Sequence, residues 1–244
     1  MELRGAVAVI TGASKGIGRS IALQLSKLGV HVVLAARNSD LLKGLQNEIA
    51  ANGGSALAIA TDVTSEHSVQ NLMLETVKHF GSIDILINNA GVGVFSNVVD
   101  MKVDDYETMM NVNLKGVFLC SRAVLPAMIK QKHGEIINIA SLAGKNSFAG
   151  GSVYSATKWG LIGFARSLML EVREHNIRVV TISPGSVNTG FADKEGDRPE
   201  AIQPGDVADT VVFALTMPNR VNVSEIDVRP TIKPRYSIPS LLPL

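Results

Sequence analysis

Short apolar runs alternate with amphipathic stretches along almost the whole chain. Ala6 to Thr11 is apolar and β-prone, and is followed by Ile17 to Leu28, where Ile17, Ile21, Leu25 and Leu28 recur at helical spacing. The same alternation predicts strands at Val30 to Ala35, Ala56 to Ala60, Ile83 to Ile87, Glu135 to Ala140, Arg178 to Ile182 and Val221 to Val228. Helices are predicted at Asp40 to Asn52 (with Ser39 as N-cap), Val69 to Phe80, Ser152 to Asn176 and Asp206 to Met217. Asp104 to Gln131 reads as one long helix, bent or interrupted, with Pro126 late in it. Strand–helix alternation implies a parallel sheet covered on both faces, and near-continuous apolar strands fit burial on both sides. The predicted fold is therefore α/β: a doubly wound, Rossmann-like parallel sheet in three layers (α/β/α). One domain is expected over 1–230, with a proline-rich extended tail over 231–244.

Composition narrows the function classes. The 244 residues are 46% hydrophobic and 18% charged, with a formal net charge of +1. Such a balance makes no electrostatic case for nucleic acid or an anionic membrane as partner. Cys120 is the single cysteine, which excludes an internal disulfide and a cysteine-based metal site, and a reducing, cytoplasmic setting fits. The five histidines show no ligand spacing, so no metal is expected.

Two stretches carry chemistry. TGASKGIG (Thr11 to Gly18) lies between the first strand and the first helix. Glycines let a backbone approach a diphosphate, and the N–H groups opening the next helix face its charge. The spacing Gly12, Gly16, Gly18 differs from G-x-G-x-x-G. The second strand ends Ala35-Ala36-Arg37-Asn38, without the acid that would hold an unphosphorylated ribose. Lys15 and Arg37 can instead clamp a 2′-phosphate, which points to NADP, with NADPH preferred over NADH.

The second stretch is Ser141 with Tyr154-Ser155-Ala156-Thr157-Lys158. Ser141 lies at the carboxyl end of a strand, the edge where open α/β sheets bind ligands. Tyr154 and Lys158 stand four apart and share a helix face. A cation beside a phenol lowers its pKa, which makes Tyr154 a usable acid and base. With Ser141 holding the substrate oxygen, the set suits the interconversion of a carbonyl and an alcohol.

Taken together, these motifs resemble the short-chain dehydrogenase/reductase family, in its single-domain branch of about 250 residues. The resemblance spans Gly5 to about Pro230. It implies a cofactor site from Gly12, Ser14, Lys15, Gly16, Ile17, Gly18, Arg37, Asp62, Val63, Asn89, Ala90, Gly91, Pro184, Gly185, Val187 and Thr189, with Tyr154 and Lys158. It implies a catalytic tetrad of Asn113, Ser141, Tyr154 and Lys158. In that scheme Asn113 holds a water in the proton relay, and Lys158 both orients the cofactor ribose and depresses the Tyr154 pKa. Members of the family are usually tetramers or dimers built partly on the helix after Tyr154, where Ala156, Gly160, Gly163 and Ala165 are small. A homo-oligomer acting on a small carbonyl or alcohol substrate is the expectation. A 3-hydroxy-acid dehydrogenase, a 3-oxoacyl-thioester reductase and a non-catalytic NADP-binding sensor or scaffold are the alternatives. The ending Val223 to Pro230 resembles enzymes of 3-hydroxy acids and assorted alcohols more than the thioester reductases. The resemblance implies a substrate-covering lid over 190–203, here short and charged with Gly190 and Gly196 as hinges; the alternative is a solvated loop with no part in substrate selection.

Overall fold

A computed structural model describes residues 2–191 and 198–232. The inner part of the expected lid, Gly196 included, and the tail from Lys233 lie outside the described residues.

Seven parallel strands form one sheet in the order β3-β2-β1-β4-β5-β6-β7. They are β1 (Val7–Thr11), β2 (His31–Ala36), β3 (Ser55–Ala60), β4 (Ile85–Asn88), β5 (Gly134–Ile139), β6 (Ile177–Pro184) and β7 (Glu225–Val228). The order reverses direction between β1 and β4, which opens a crevice at the carboxyl edge there. Successive strand residues point to opposite layers, and this explains the continuous apolar runs. Ala8, Ile10, Val32, Leu34, Ile85 and Ile87 pack under α1 (Gly16–Lys27), α2 (Ser39–Ala51) and α7 (Pro204–Thr216). Val7, Val9, Val33, Leu86, Ile136 and Val179 pack under α3 (Glu66–Phe80), α5 (Gly116–Gln131) and α6 (Ser152–Val172).

Local chemistry moves several predicted boundaries. Asn38, not Ser39, caps α2: its side-chain oxygen accepts from Leu41 N–H at 3.0 Å, so Ser39 is already helical. The predicted helix 104–131 is α4 (Val103–Met110), a π-helical turn Asn111–Lys115, and α5. The irregularity therefore falls at Asn111–Lys115, while Pro126 sits inside α5 without ending it. By composition alone Val103–Gln131 is apolar enough to cross a membrane, but α5 packs on β4, β5 and α3. The last strand begins at Glu225 rather than Val221, because the Val221 carbonyl accepts from the Arg178 guanidinium at 3.0 Å and is turned away from the ladder. Of the small residues on α6, Ala165 is buried in its own core, Gly160 faces Leu114, and Gly163 faces open space.

At the amino edge, Asp84 ties three strands. One carboxylate oxygen accepts from Val7 N–H at 2.8 Å, and the other meets His133 Nε2 at 2.8 Å. The hydrogen bond to Asp84 raises the His133 pKa above its ordinary value of 6.5. A raised folded-state pKa stabilises fully below the unfolded value and the gain is lost as pH rises through the folded one. Melting temperature is therefore expected to decline slightly on raising the pH from below 6 to 8 (about 6 and 8 bracket an unperturbed histidine). A His133→Gln variant is expected to lose that component, as differential scanning fluorimetry across the same range would reveal.

Candidate active site

The turn between β1 and α1 is built for close approach. Gly12 adopts φ +66°, and a Cβ on it would lie 2.9 Å from the Ala90 backbone. A Cβ on Gly18 would lie 2.4 Å from the Gly12 carbonyl oxygen, which is backbone and has nowhere to go. Those two positions let the turn fold back on itself under the segment after β4. The Thr11 hydroxyl fastens the pieces: it donates to the Ile87 carbonyl and accepts from the N–H groups of Asn89 and Ala90, each at 3.0 Å. The Asn89 amide donates to the carbonyls of Thr11 and Gly12.

Helix α1 starts differently from its neighbours. Helices α2 and α3 open on side-chain caps from Asn38 and Ser65, and at α7 the Asp206 carboxylate accepts from Gln203 N–H at 2.8 Å. At α1, Lys15 occupies the cap position with no side-chain hydrogen bond, and the first turn holds no acid. Its opening N–H groups are left for an anion. Lys15 and Arg37 are exposed and make no side-chain hydrogen bond or ion pair among the described residues. Arg37 is near enough to Asp62 to favour its charge, although the main influence lowering the Asp62 pKa is the hydrogen bond from Thr64 N–H. Val63, next to Asp62, is buried where Gly116 leaves room for it on α5.

Ser141 follows β5, and its Oγ accepts from Ala143 N–H at 3.1 Å. Tyr154 and Lys158 lie in the first two turns of α6, both buried. Ser141 is near enough to the Tyr154 hydroxyl to favour its charged form. Lys158 Nζ donates to the Ile139 carbonyl at 3.1 Å and stands 5.8 Å from the centre of the Tyr154 ring. Burial pushes the Tyr154 phenol up to about 12, opposed by the hydrogen bond from Ser141, and pulls Lys158 down to about 8. The charge of Lys158 is not among the influences acting on the Tyr154 phenol. The ammonium is held by a backbone carbonyl, and desolvation dominates both groups. At neutral pH Tyr154 is a proton-bearing phenol.

Asn113 lies in the π turn. Its Oδ1 accepts from Val92 N–H and its amide donates to Val92 C=O, both at 2.8 Å, and also to Thr157 Oγ1 at 3.1 Å. Both amide hydrogens are taken within the chain. The side chain locks the segment that follows Gly91 to the catalytic helix. After β6, Gly185 N–H bonds to the Val228 carbonyl, Val187 bridges to Ile202, and Thr189 packs over Gly16.

A sequence profile described as short chain dehydrogenase matches residues 6–200. The chain belongs to that family. It is an oxidoreductase acting on CH–OH and C=O groups. An uncharacterised oxidoreductase of Staphylococcus aureus (strain N315) is 41% identical over 226 residues, covering 92% of this chain and 96% of its own. A metagenomic short-chain oxidoreductase solved with NADP is 42% identical, with a TM-score of 0.85, covering 96% of this chain and all of its own. An alcohol dehydrogenase of the archaeon Thermococcus sibiricus, solved with 5-hydroxy-NADP, is 29% identical with a TM-score of 0.89, covering 95% of this chain and 99% of its own.

In this dehydrogenase every site residue expected from sequence falls at the carboxyl edge or in the helices that border it. Two members of the site escaped the sequence reading as working groups. Thr11 was read as the start of a glycine motif, not as the hydroxyl that fastens it. Thr157 donates to the Tyr154 carbonyl at 2.7 Å and accepts from Asn113, so it joins two site residues. A threonine three residues after the tyrosine, able to bond back along its helix, was the available signal.

Proposed function

We propose that this dehydrogenase is NADP-dependent and interconverts a ketone or aldehyde with its alcohol, with Tyr154 as the acid and base. The observation that carries the reading is the buried pair of Tyr154 and Lys158, whose Nζ stands 5.8 Å from the tyrosine ring, on the helix that follows Ser141 at the carboxyl edge of β5. The cofactor fit rests on the β1–α1 turn, whose glycine positions a Cβ would block and whose helix start carries no internal cap. Gly12, Ser14, Gly16, Ile17 and Gly18 would line the diphosphate, Asp62 and Val63 the adenine side, and Asn89, Ala90 and Gly91 the middle. Pro184, Gly185, Val187 and Thr189 would border the nicotinamide end. A bound dinucleotide supplies or accepts the hydride. Ser141 and Tyr154 then hold the substrate oxygen between them, and Tyr154 donates its proton to that oxygen in reduction. Lys158 and Asn113 keep the tyrosine helix in register. The same reading includes a homo-oligomer built on α5 and α6, where Phe118, Trp159 and Leu170 are exposed.

NADP rather than NAD rests on Lys15 and Arg37, two exposed cations with no side-chain hydrogen bond or ion pair among the described residues, beside a β2 end that lacks an acid. The metagenomic relative, solved with NADP, fits this choice. Arg37→Glu is expected to weaken NADPH by about 10- to 100-fold, the loss that follows from one charge-assisted contact. NADH is expected to change little. Fluorescence titration of both cofactors on both proteins reads the difference, and equal losses for the two cofactors would sink the phosphate-clamp reading.

A further inference from the structure

The turn that carries Ser141 is held from two sides. Its own hydrogen bonds make it compact: Ala143 N–H donates to Ser141 Oγ at 3.1 Å, Gly144 N–H to the Ser141 carbonyl at 2.9 Å, and Asn146 N–H to the Leu142 carbonyl at 2.8 Å. On one side the turn lies against the catalytic helix. A Cβ on Gly144 would come 2.8 Å from the Lys158 carbonyl oxygen and 2.6 Å from Ile162, so the glycine is what lets the turn approach α6 at that point.

The other side is ionic. Lys145 ends the turn, and its Nζ stands 2.7 Å from Glu225 Oε2 and 2.7 Å from Asp227 Oδ1. The two carboxylates are two apart on β7 and share one face of the sheet, while Ile226 and Val228 between and beyond them pack into the opposite layer. Pairing with β6 fixes where they stand, Glu225 beside Thr181 and Asp227 beside Ser183. Arg166 of α6 holds Glu225 from the far side, its Nε at 2.6 Å, and Arg229 stands 3.4 Å from Asp227. Burial works against the Lys145 charge, but the hydrogen bonds to Asp227 and Glu225 outweigh it and raise its pKa above 10.5. Of the three cations in this cluster, Lys145 alone belongs to the turn that bears Ser141.

We infer that Lys145 is a positioning residue for the reaction: by bridging Glu225 and Asp227 it ties the Ser141 turn to β7 and fixes where the serine hydroxyl stands relative to Tyr154. The inference deepens the proposed function and rests on it. Partly exposed ion pairs add little to global stability. Their effect here is local, on a turn whose serine must meet a substrate oxygen. A misplacement of about 1 Å in such a group can cost about 10²-fold in rate.

The test uses Lys145→Met, which keeps the stem and removes the charge, and Lys145→Arg, which keeps the charge. Steady-state kinetics with acetophenone and with cyclohexanone, each with NADPH, are run on the full chain. Lys145→Met is expected to lower kcat about ten-fold, with NADPH affinity and melting temperature close to the parent. Lys145→Arg is expected to restore most of the loss. In a Ser141→Ala background the same Lys145→Met change is expected to cost less than about two-fold, because the group it positions is already gone. Asp227→Asn loosens the tie from its other end and is expected to add nothing further to Lys145→Met. Amide exchange at Ala143 and Gly144, whose N–H groups bond to Ser141, reads the turn without turnover and is expected to quicken about ten-fold in Lys145→Met. A kcat within about two-fold of the parent, an equal loss with and without Ser141, a loss confined to KM, or unchanged exchange at both amides would overturn the inference and leave carbonyl reduction standing. A parent that turns over no carbonyl would count against the catalytic reading instead, and exchange at the two amides would still decide whether Lys145 holds the turn.

Discussion

Replacing Tyr154 by Phe is expected to lower kcat by about 10²- to 10⁴-fold, the usual share of a positioned acid or base. NADPH affinity should stay nearly intact. The substitution removes one hydroxyl and leaves the ring, so the contacts with Phe95 and Phe191 persist. The oxygen removed is the one whose charge Ser141 favours. Steady-state kinetics beside a cofactor titration separates the loss of chemistry from a loss of binding. A variant that keeps most of its activity would mean the proton comes from elsewhere.

The largest effect on stability is expected at Arg178. This side chain leaves β6 for the amino edge and is nearly buried. Its guanidinium donates to the carbonyls of Leu215, Met217, Pro218 and Val221, and to Glu135 Oε2 at 2.5 Å. It thereby closes the end of α7 and the connection into β7. Glu135 is fully buried, and burial raises its pKa against the opposing attraction of Arg178. Removing the arginine leaves a buried carboxyl unpaired and four carbonyls without their donor. Such a break costs about 3–5 kcal/mol. At this chain length that is a fall in Tm of about 6–20 °C for Arg178→Ala. A double variant with Met at 178 and Leu at 135 removes both charges together and is expected to recover much of the loss. If thermal denaturation shows Arg178→Ala within about 1 kcal/mol of the parent, the ordinary size of a surface change, the pair does not hold this corner.

The sheet was legible because each of its strands is a short apolar run bounded by helical periodicity, and the two-layer alternation inside those runs needs no further information. The cofactor turn and the tyrosine–lysine pair were legible for a related reason: each is local, with its chemistry written within eight residues or fewer. What stayed hidden is tertiary. Glu135 and Arg178 read as the first residues of two apolar strands, and only the β5–β6 register brings them together. Phe191 and the Gly93 that admits it are far apart in the chain and meet because β4 and β6 deliver their loops to one edge. The π turn at Asn111–Lys115 has no composition signal; its function is visible only once Asn113 is seen clamping Val92. The Tyr154–Lys158 spacing correctly placed the pair on one face, but spacing carries no burial. Desolvation is the largest influence on both pKa values.

The central claim is that this chain moves a hydride onto a carbonyl carbon while Tyr154 protonates the oxygen. The direct measurement is product analysis after incubating the protein with acetophenone and NADPH deuterated at the transferring position of the nicotinamide. The account predicts deuterium on the carbinol carbon, in one stereochemical sense, with the hydroxyl proton drawn from solvent through Tyr154. Tight NADPH binding with no label in any alcohol, from this ketone or from a panel of aliphatic ketones and aldehydes, would contradict it.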